Sequence, residues 1–253
     1  MTLACMNQNR IQPVVAWRAL GRLIADPEQT HEVFTVIRAL SGPSLWRSYK
    51  RFRNTAVGCK VLANKVDLVD TLNDRDYLAT MPNGSLGQRY LTFVTAENIT
   101  TDGLIEASID PETQAPANEI DEEDFSRFAA RQRDMHDLWQ TLTQYGRDEL
   151  GEACLLAFAY AQTKNRGVGV ICLAGCLKLR GRYGNGVLQA AWRTYRHGNR
   201  AQWLSAQDWE HLLTQPVEEV RSDLGISPPI LYENLRAQPA LAQSHLTIAL
   251  GSL

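Results

Sequence analysis

Arg133-Asp134-Met135-His136-Asp137-Leu138-Trp139-Gln140 gathers a histidine, two aspartates and an amide beside three apolar side chains, and a carboxylate, Glu152, follows twelve residues after Gln140. On a helix each residue advances the face by about 100°, so His136, Asp137 and Gln140 fall within about 100° of arc. Tyr145-Gly146-Arg147-Asp148 then has the composition of a helix-to-helix turn. Gly146 suits the left-handed C-terminal position, and Asp148 suits the cap of the next helix. Gln140 and Glu152 stand about one turn either side of that corner, and both helices rise about 1.5 Å per residue, so an antiparallel hairpin brings them to one height. One histidine, two carboxylates and an amide are thereby expected to share a site.

Outward from this hairpin the pattern stays helical. Phe125 to Thr143 carries Phe128, Met135, Leu138, Trp139 and Leu142 along one side, and Glu149 to Gln162 places Glu152 beside Leu155, Leu156 and Ala159 at helical spacing. Gly167 to Leu177 is small and apolar, which permits close helix approach or leaves room for an apolar guest; Lys178, Arg180 and Arg182 follow at once. Val187 to Arg196 reads as a helix ended by Gly198, and Ala206 to Leu213 and Val217 to Leu224 as two more. Toward the N-terminus, Val14 to Ala25 has a stripe of Trp17, Leu20, Leu23 and Ile24, and a second helix has Val33, Phe34, Ile37 and Leu40. Leu45 to Phe52 mixes aromatic and basic residues; an amphipathic helix with a solvated face explains it without a lipid or nucleic-acid surface. Short helices are expected between Asn64 and Thr80. Ser85 is the N-cap of a helix that buries Leu86, Tyr90, Phe93 and Val94. No segment sustains strand alternation, so the expected fold is all-α. It is read as one helical domain over residues 14–230, with an extension at 1–13, a polar connector at about 100–124 and a tail at 231–253.

Composition narrows the function classes. With 253 residues, 44% of them hydrophobic, the chain can bury a substantial core. A formal charge of −2 supplies no global field for nucleic acid, so none is expected as a partner. The five cysteines contain no CxxC pair, which favours a reducing, cytoplasmic setting. The N-terminal residues lack the apolar core of a signal peptide, and the longest apolar run, Gly167 to Leu177, is too short to cross a bilayer as a helix.

Each site residue also has a plain structural explanation. His136 borders an apolar stripe, Asp137 can pair with Arg133 one turn earlier, and Glu152 in a first turn is favoured by the helix dipole. Imidazole with carboxylates is nonetheless a common ligand set for divalent ions. No Gly-rich phosphate loop, GxSxG elbow or zinc-type cysteine spacing competes with it.

The chain resembles the ubiquinone-biosynthesis family typified by coenzyme Q biosynthesis protein four, whose signature is His-Asp-x-x-His, eleven residues, then Glu. His136, Asp137, Gln140 and Glu152 stand at the matching positions. The likeness runs from about Leu20 to Pro229 and includes Ala25-Asp26-Pro27, the Met81-Pro82 to Gly87 turn with Tyr90, and Pro216-Val217-Glu218-Glu219-Val220-Arg221 to Leu224-Gly225-Ile226. It implies an all-α, dimeric protein, peripheral to a membrane, that holds a polyprenyl lipid or prenylated quinone precursor in an apolar groove. The resemblance also implies a divalent metal at the motif, other quinone-biosynthesis proteins as partners, and removal and oxidation of a ring carboxyl-bearing carbon. The departure is Gln140, where the family has a second histidine. An amide oxygen suits magnesium or calcium better than zinc or cobalt.

On this basis His136, Asp137, Gln140 and Glu152 are the expected metal ligands, of magnesium or zinc, with His136 and Glu152 as proton carriers. Leu155, Leu156, Phe158, Ala159, Val170 and Leu173 are the expected lipid-groove residues, and Lys178, Arg180 and Arg182 the partners of an anionic headgroup. Two other functions remain open: a non-catalytic scaffold presenting a lipid to quinone-biosynthesis enzymes, and a metal-dependent hydrolase of prenyl phosphates.

Overall fold

A computed structural model describes residues 11–25, 30–98 and 119–238, and among these residues every regular element is helical. The first two helices, α1 (Pro13–Ala25) and α2 (Thr30–Ser41), lie against each other. α1 turns a different side inward from the expected stripe. Ala16 and Ala19 are buried while Trp17 is 76% exposed, because α1 meets α2 and α10 (Arg166–Tyr183) through its small residues. Leu20 and Leu23 still pack into that contact.

Next come α3 (Ser44–Phe52), α4 (Ala56–Asn64), the short α5 (Leu68–Asn73) and α6 (Arg75–Thr80), and α7 (Leu86–Ala96). Tyr49 and Phe52 of α3 meet Phe125 and Phe128 in a separate aromatic cluster, while basic side chains of α3 stay outside, Arg51 lying over the Trp203 ring at 3.9 Å. Ser85 caps α7 by accepting from the Gln88 amide at 3.3 Å. Gly87 follows at a position where a Cβ would lie 2.1 Å from Met81 Sδ and 3.0 Å from the Leu213 carbonyl oxygen, so the bare glycine leaves room for the Met81 side chain and the segment at Leu213.

The long α8 (Glu119–Thr143) starts before the expected Phe125, so the end of the polar connector is helix; residues 99–118 lie outside those described, as do 1–10 and the Asp26-Pro27 break. After the corner, α9 (Glu149–Thr163) runs through the main core and packs most extensively on α11 (Gly186–Arg200) and α10, touching α8 near the corner. Gly198 does not end its helix. It lies inside α11, where a Cβ would stand 2.8 Å from the Ala161 methyl and 3.0 Å from the Phe158 carbonyl oxygen, so its role is close approach of α11 to α9. At that crossing Gln162 is a buried clasp, donating to the Gly198 carbonyl at 2.7 Å and accepting from the Leu204 amide at 2.8 Å.

A 3-10 turn (Leu204–Ala206), α12 (Trp209–Leu212), α13 (Val217–Leu224) and α14 (Ile230–Ala237) complete the described chain. Asp208 breaks the expected Ala206 to Leu213 helix by capping α12 alone. The stretch from 231, read as a tail, carries most of α14, with Tyr232 and Leu235 in the main core. No helix among the described residues is long and apolar enough to cross a membrane.

Candidate functional site at the α8–α9 corner

The corner is built differently from the expected turn. Gln144, with φ 63°, takes the left-handed position, and its amide closes α8 on the Gln140 carbonyl at 2.8 Å. Gly146 is needed for space instead: a Cβ there would lie 2.7 Å from the Tyr232 hydroxyl. That hydroxyl accepts from the Gly146 amide at 3.1 Å and donates to Asp148 Oδ2 at 2.5 Å. Asp148 Oδ1 caps α9 as expected, accepting from the Gly151 amide at 3.1 Å. The terminal carbonyls of α8 are met by Arg221, buried in α13, which donates to the Leu142 and Thr141 oxygens at 2.8 and 3.0 Å. The corner is therefore fastened from outside by α13 and α14.

Within this frame His136, Gln140 and Glu152 come together. Gln140 Nε2 donates to Glu152 Oε1 at 2.5 Å, and His136 Nε2 stands 3.9 Å from Glu152 Oε2. The His136 and Glu152 side chains are 36% and 34% exposed, whereas Gln140 is 1% exposed, so the site opens to solvent over a buried amide floor. Asp137 turns toward the histidine rather than into the common point: its Oδ1 lies 3.2 Å from His136 Nδ1. Arg133, the expected partner of Asp137 one turn earlier, bonds Asp134.

Burial pushes the His136 imidazole down, but its bond to Asp137 and the negative charges of Glu152 and Asp137 outweigh that, holding it above its ordinary range. Burial pushes the Glu152 carboxyl up, against the opposing effects of His136, the Gln140 amide and Arg147. Burial also raises the Tyr90 phenol, reinforced by Asp137 and Asp134, so Tyr90 remains a neutral hydroxyl beside the site.

One polar atom bears on whether a metal fits. A carboxylate only accepts hydrogen bonds, so Gln140 must present its nitrogen to Glu152, and its Oε1 is left buried without a partner. Ligand atoms about 2.0–2.2 Å from one ion lie roughly 3–4.3 Å apart, a range that includes the His136–Glu152 spacing. By that spacing His136 and Glu152 could share a divalent ion, with Asp137 behind the histidine in the manner of carboxylate–histidine pairs at metal sites. Among the described residues there is no group of three or more His, Cys, Asp or Glu that could hold a metal ion.

The expected groove residues divide. Leu155 and Phe158 are core residues, the Phe158 ring meeting Trp139 edge-on at 6.1 Å, while Leu156, Ala159 and Val170 are half-buried and Leu173 is 55% exposed. Trp139 Nε1 is a buried donor without a partner, a feature that apolar periodicity conceals because it counts tryptophan only as hydrophobe. The three cations do not converge. Lys178 bonds Glu149 at 2.8 Å and Arg182 lies over the Tyr183 ring, both on one side of α10, with Arg180 about 160–200° around the helix.

A family profile described as coenzyme Q (ubiquinone) biosynthesis protein Coq4 matches residues 7–230. The chain belongs to this family. It is 26% identical over 216 residues to the mitochondrial ubiquinone biosynthesis protein COQ4 of Podospora anserina, covering 84% of this chain and 68% of that protein. The rat mitochondrial COQ4 homologue is also 26% identical, over 222 residues, covering 85% of this chain and 78% of its own length. A crystal structure from Nostoc punctiforme PCC 73102, described as of a ubiquinone biosynthesis protein, superposes with a TM-score of 0.63 at 20% identity, over 86% of this chain and all of that one. That likeness concerns the fold. The four residues that the resemblance sets at the family signature, His136, Asp137, Gln140 and Glu152, lie on α8 and α9 at this corner.

Proposed function

We propose that this Coq4-family chain binds a polyprenyl lipid or prenylated quinone precursor in an apolar groove beside a divalent ion at the α8–α9 corner. The observation that carries the reading is the meeting of His136 and Glu152, 3.9 Å apart, over a buried Gln140 whose Oε1 has no hydrogen-bond partner. His136 Nε2, Glu152 Oε2 and Gln140 Oε1 would hold the ion, and Asp137 would keep the imidazole turned toward it. An amide among the ligands favours magnesium over zinc.

In this reading Leu156, Ala159, Val170 and Leu173, half-buried or exposed, line the groove on α9 and α10, and Leu155 and Phe158 belong to the core beneath. Each buried CH2 of an isoprenoid is worth about 0.8 kcal/mol, so a long chain binds there without polar recognition. When bound, the ion supplies Lewis-acid polarisation of a ring carboxylate or hydroxyl. Glu152, whose carboxyl is raised by burial, is suited to move a proton to that ring as its carboxyl group leaves as CO2; His136 can do so only while its Nε2 is free of the ion. In this reading the protein acts as a homodimer, peripheral to a membrane and among other quinone-biosynthesis proteins.

Gln140 in the histidine position favours a second reading, a non-catalytic scaffold that presents the lipid to those enzymes. The hydrolase reading loses support because Lys178, Arg180 and Arg182 do not face one phosphate.

Native mass spectrometry of the full chain and its His136→Ala variant tests the site. A divalent ion lost in the variant while a co-purified isoprenoid stays bound is expected. Wild-type protein that carries neither, even after addition of magnesium and a prenylated phenol, would overturn it.

A further inference from the structure

Charge is distributed unevenly along this chain. From residue 153 to residue 207 there are eight Lys and Arg and no Asp or Glu, so the remaining residues carry a formal charge of −10. This stretch contains most of α9, all of α10 and all of α11. Burial lowers the His197 imidazole, and so do Arg200, Arg193 and Arg196, the mark of a locally positive surface.

Exposed apolar side chains lie on the same elements. Leu173 and Leu177 of α10 and Trp192 of α11 are 55%, 53% and 60% exposed. Helical geometry puts Leu173 and Leu177 on one stripe with Arg166 and Arg180, and Trp192 on one stripe with Arg196, flanked by Arg193. α10 and α11 meet at the Gly184-Asn185 turn, so Leu177 and Trp192, eight and seven residues from Asn185, stand at about the same height. Trp192 is held in place there: it stacks on Tyr195 at 5.6 Å, and Tyr195 on Tyr160 at 5.5 Å, so the ring is presented outward on a rigid aromatic ladder.

We infer that the outer face of α10 and α11 docks on an anionic lipid bilayer, with Trp192, Leu173 and Leu177 entering the interfacial layer among cations that meet the headgroups. Aromatic and aliphatic side chains interleaved with Lys and Arg are the composition of interfacial membrane surfaces. Glu149, which reaches α10 from outside this stretch, is bonded to Lys178 on a different side of α10 from Leu173 and Arg180. A second copy of this chain is the less favourable occupant. A two-fold interface would set this cationic face against itself, and like charges there oppose association. The inference rests on the peripheral attachment proposed above and adds the face and the lipid charge; it is independent of the metal corner.

Flotation of the full chain with vesicles tests it, comparing phosphatidylcholine alone with an equal mixture of phosphatidylcholine and phosphatidylglycerol. Binding to the mixed vesicles only, weakened by salt, is expected, since each cation near an anionic surface is worth about fivefold in partitioning. The double variant Arg193→Glu, Arg196→Glu should lose more than about tenfold. Trp192→Ala should lose severalfold, with unchanged melting temperature because all three side chains are exposed. Absence of binding to either vesicle would overturn membrane attachment itself; equal binding by wild type and both variants would overturn this face while leaving attachment in place. A dimer in sedimentation that Trp192→Asp dissociates, without vesicle binding, would assign the face to a second copy. Ion and isoprenoid retention in native mass spectrometry reads the corner separately, so failure of one proposal does not imply failure of the other.

Discussion

Gln140 is the residue on which the chemistry of the corner turns. Its amide nitrogen serves Glu152 and its oxygen remains buried and unpartnered, so replacement by histidine exchanges a neutral oxygen donor for an imidazole. Gln140→His is expected to tighten zinc or cobalt binding by about tenfold or more, read by titration calorimetry; unchanged affinity would argue against a metal at this position. Proton and ion also compete for His136 Nε2. Burial lowers that imidazole, but Asp137 and Glu152 raise it further, so protonation begins on the alkaline side of its ordinary value of 6.5. Ion affinity of the chelator-treated protein should accordingly fall as pH drops from about 8 to about 6, and the fall should be absent in His136→Ala. The convergence of His136, Gln140 and Glu152 was legible in the sequence because helical spacing and a tight corner determine height and face. The position of Asp137 was not, since a residue one step from the histidine reaches either the common point or the ring itself, and only side-chain rotation decides between them.

At the scale of elements, the contacts that hold the corner come from distant segments. Arg221 of α13 serves two terminal carbonyls of α8, and charged hydrogen bonds of this kind contribute about 1.5–3 kcal/mol each. Arg221→Met, which keeps the aliphatic stem, should therefore cost about 3–6 kcal/mol in chemical denaturation and lower ion affinity through a loosened α8 end. Gly167 makes the other tight contact. A Cβ there would come within 2.4 Å of the Ile37 Cα and 2.8 Å of the Val36 carbonyl oxygen, backbone atoms that cannot step aside. Gly167→Ala should separate α10 from α2 and cost about 1–3 kcal/mol, a few degrees of melting temperature. The small-residue character of Gly167 to Leu177 announced such an approach in advance. Which helix would approach was invisible, because close packing depends on the partner's surface as much as on the glycine. The same reason explains Gly198: a glycine near a helix end looks like a terminator until another helix is seen pressed against it.

For the molecule as a whole, α14 shows how late a segment can matter. Tyr232 and Leu235 are core residues, and the Tyr232 hydroxyl ties Gly146 to Asp148 across the corner. A chain truncated after Pro229 should melt several degrees lower and bind a divalent ion more weakly than one truncated after Gln238; differential scanning fluorimetry with and without magnesium reads this. The two truncations separate the contribution of α14 from that of the residues beyond it.

What the sequence by itself determined is the helical class, the run of its main helices, the meeting of His136, Gln140 and Glu152, and the family. These follow from the period of apolar side chains, from capping chemistry and from spacing, all of which are local along the chain. Tertiary structure alone decided that Ala16 and Ala19 rather than Trp17 turn inward on α1, that Gln144 rather than Gly146 takes the left-handed turn position, and that Trp192 stays exposed on α11. Each of these depends on which surfaces meet, and burial is a property of pairs of elements that no single segment encodes.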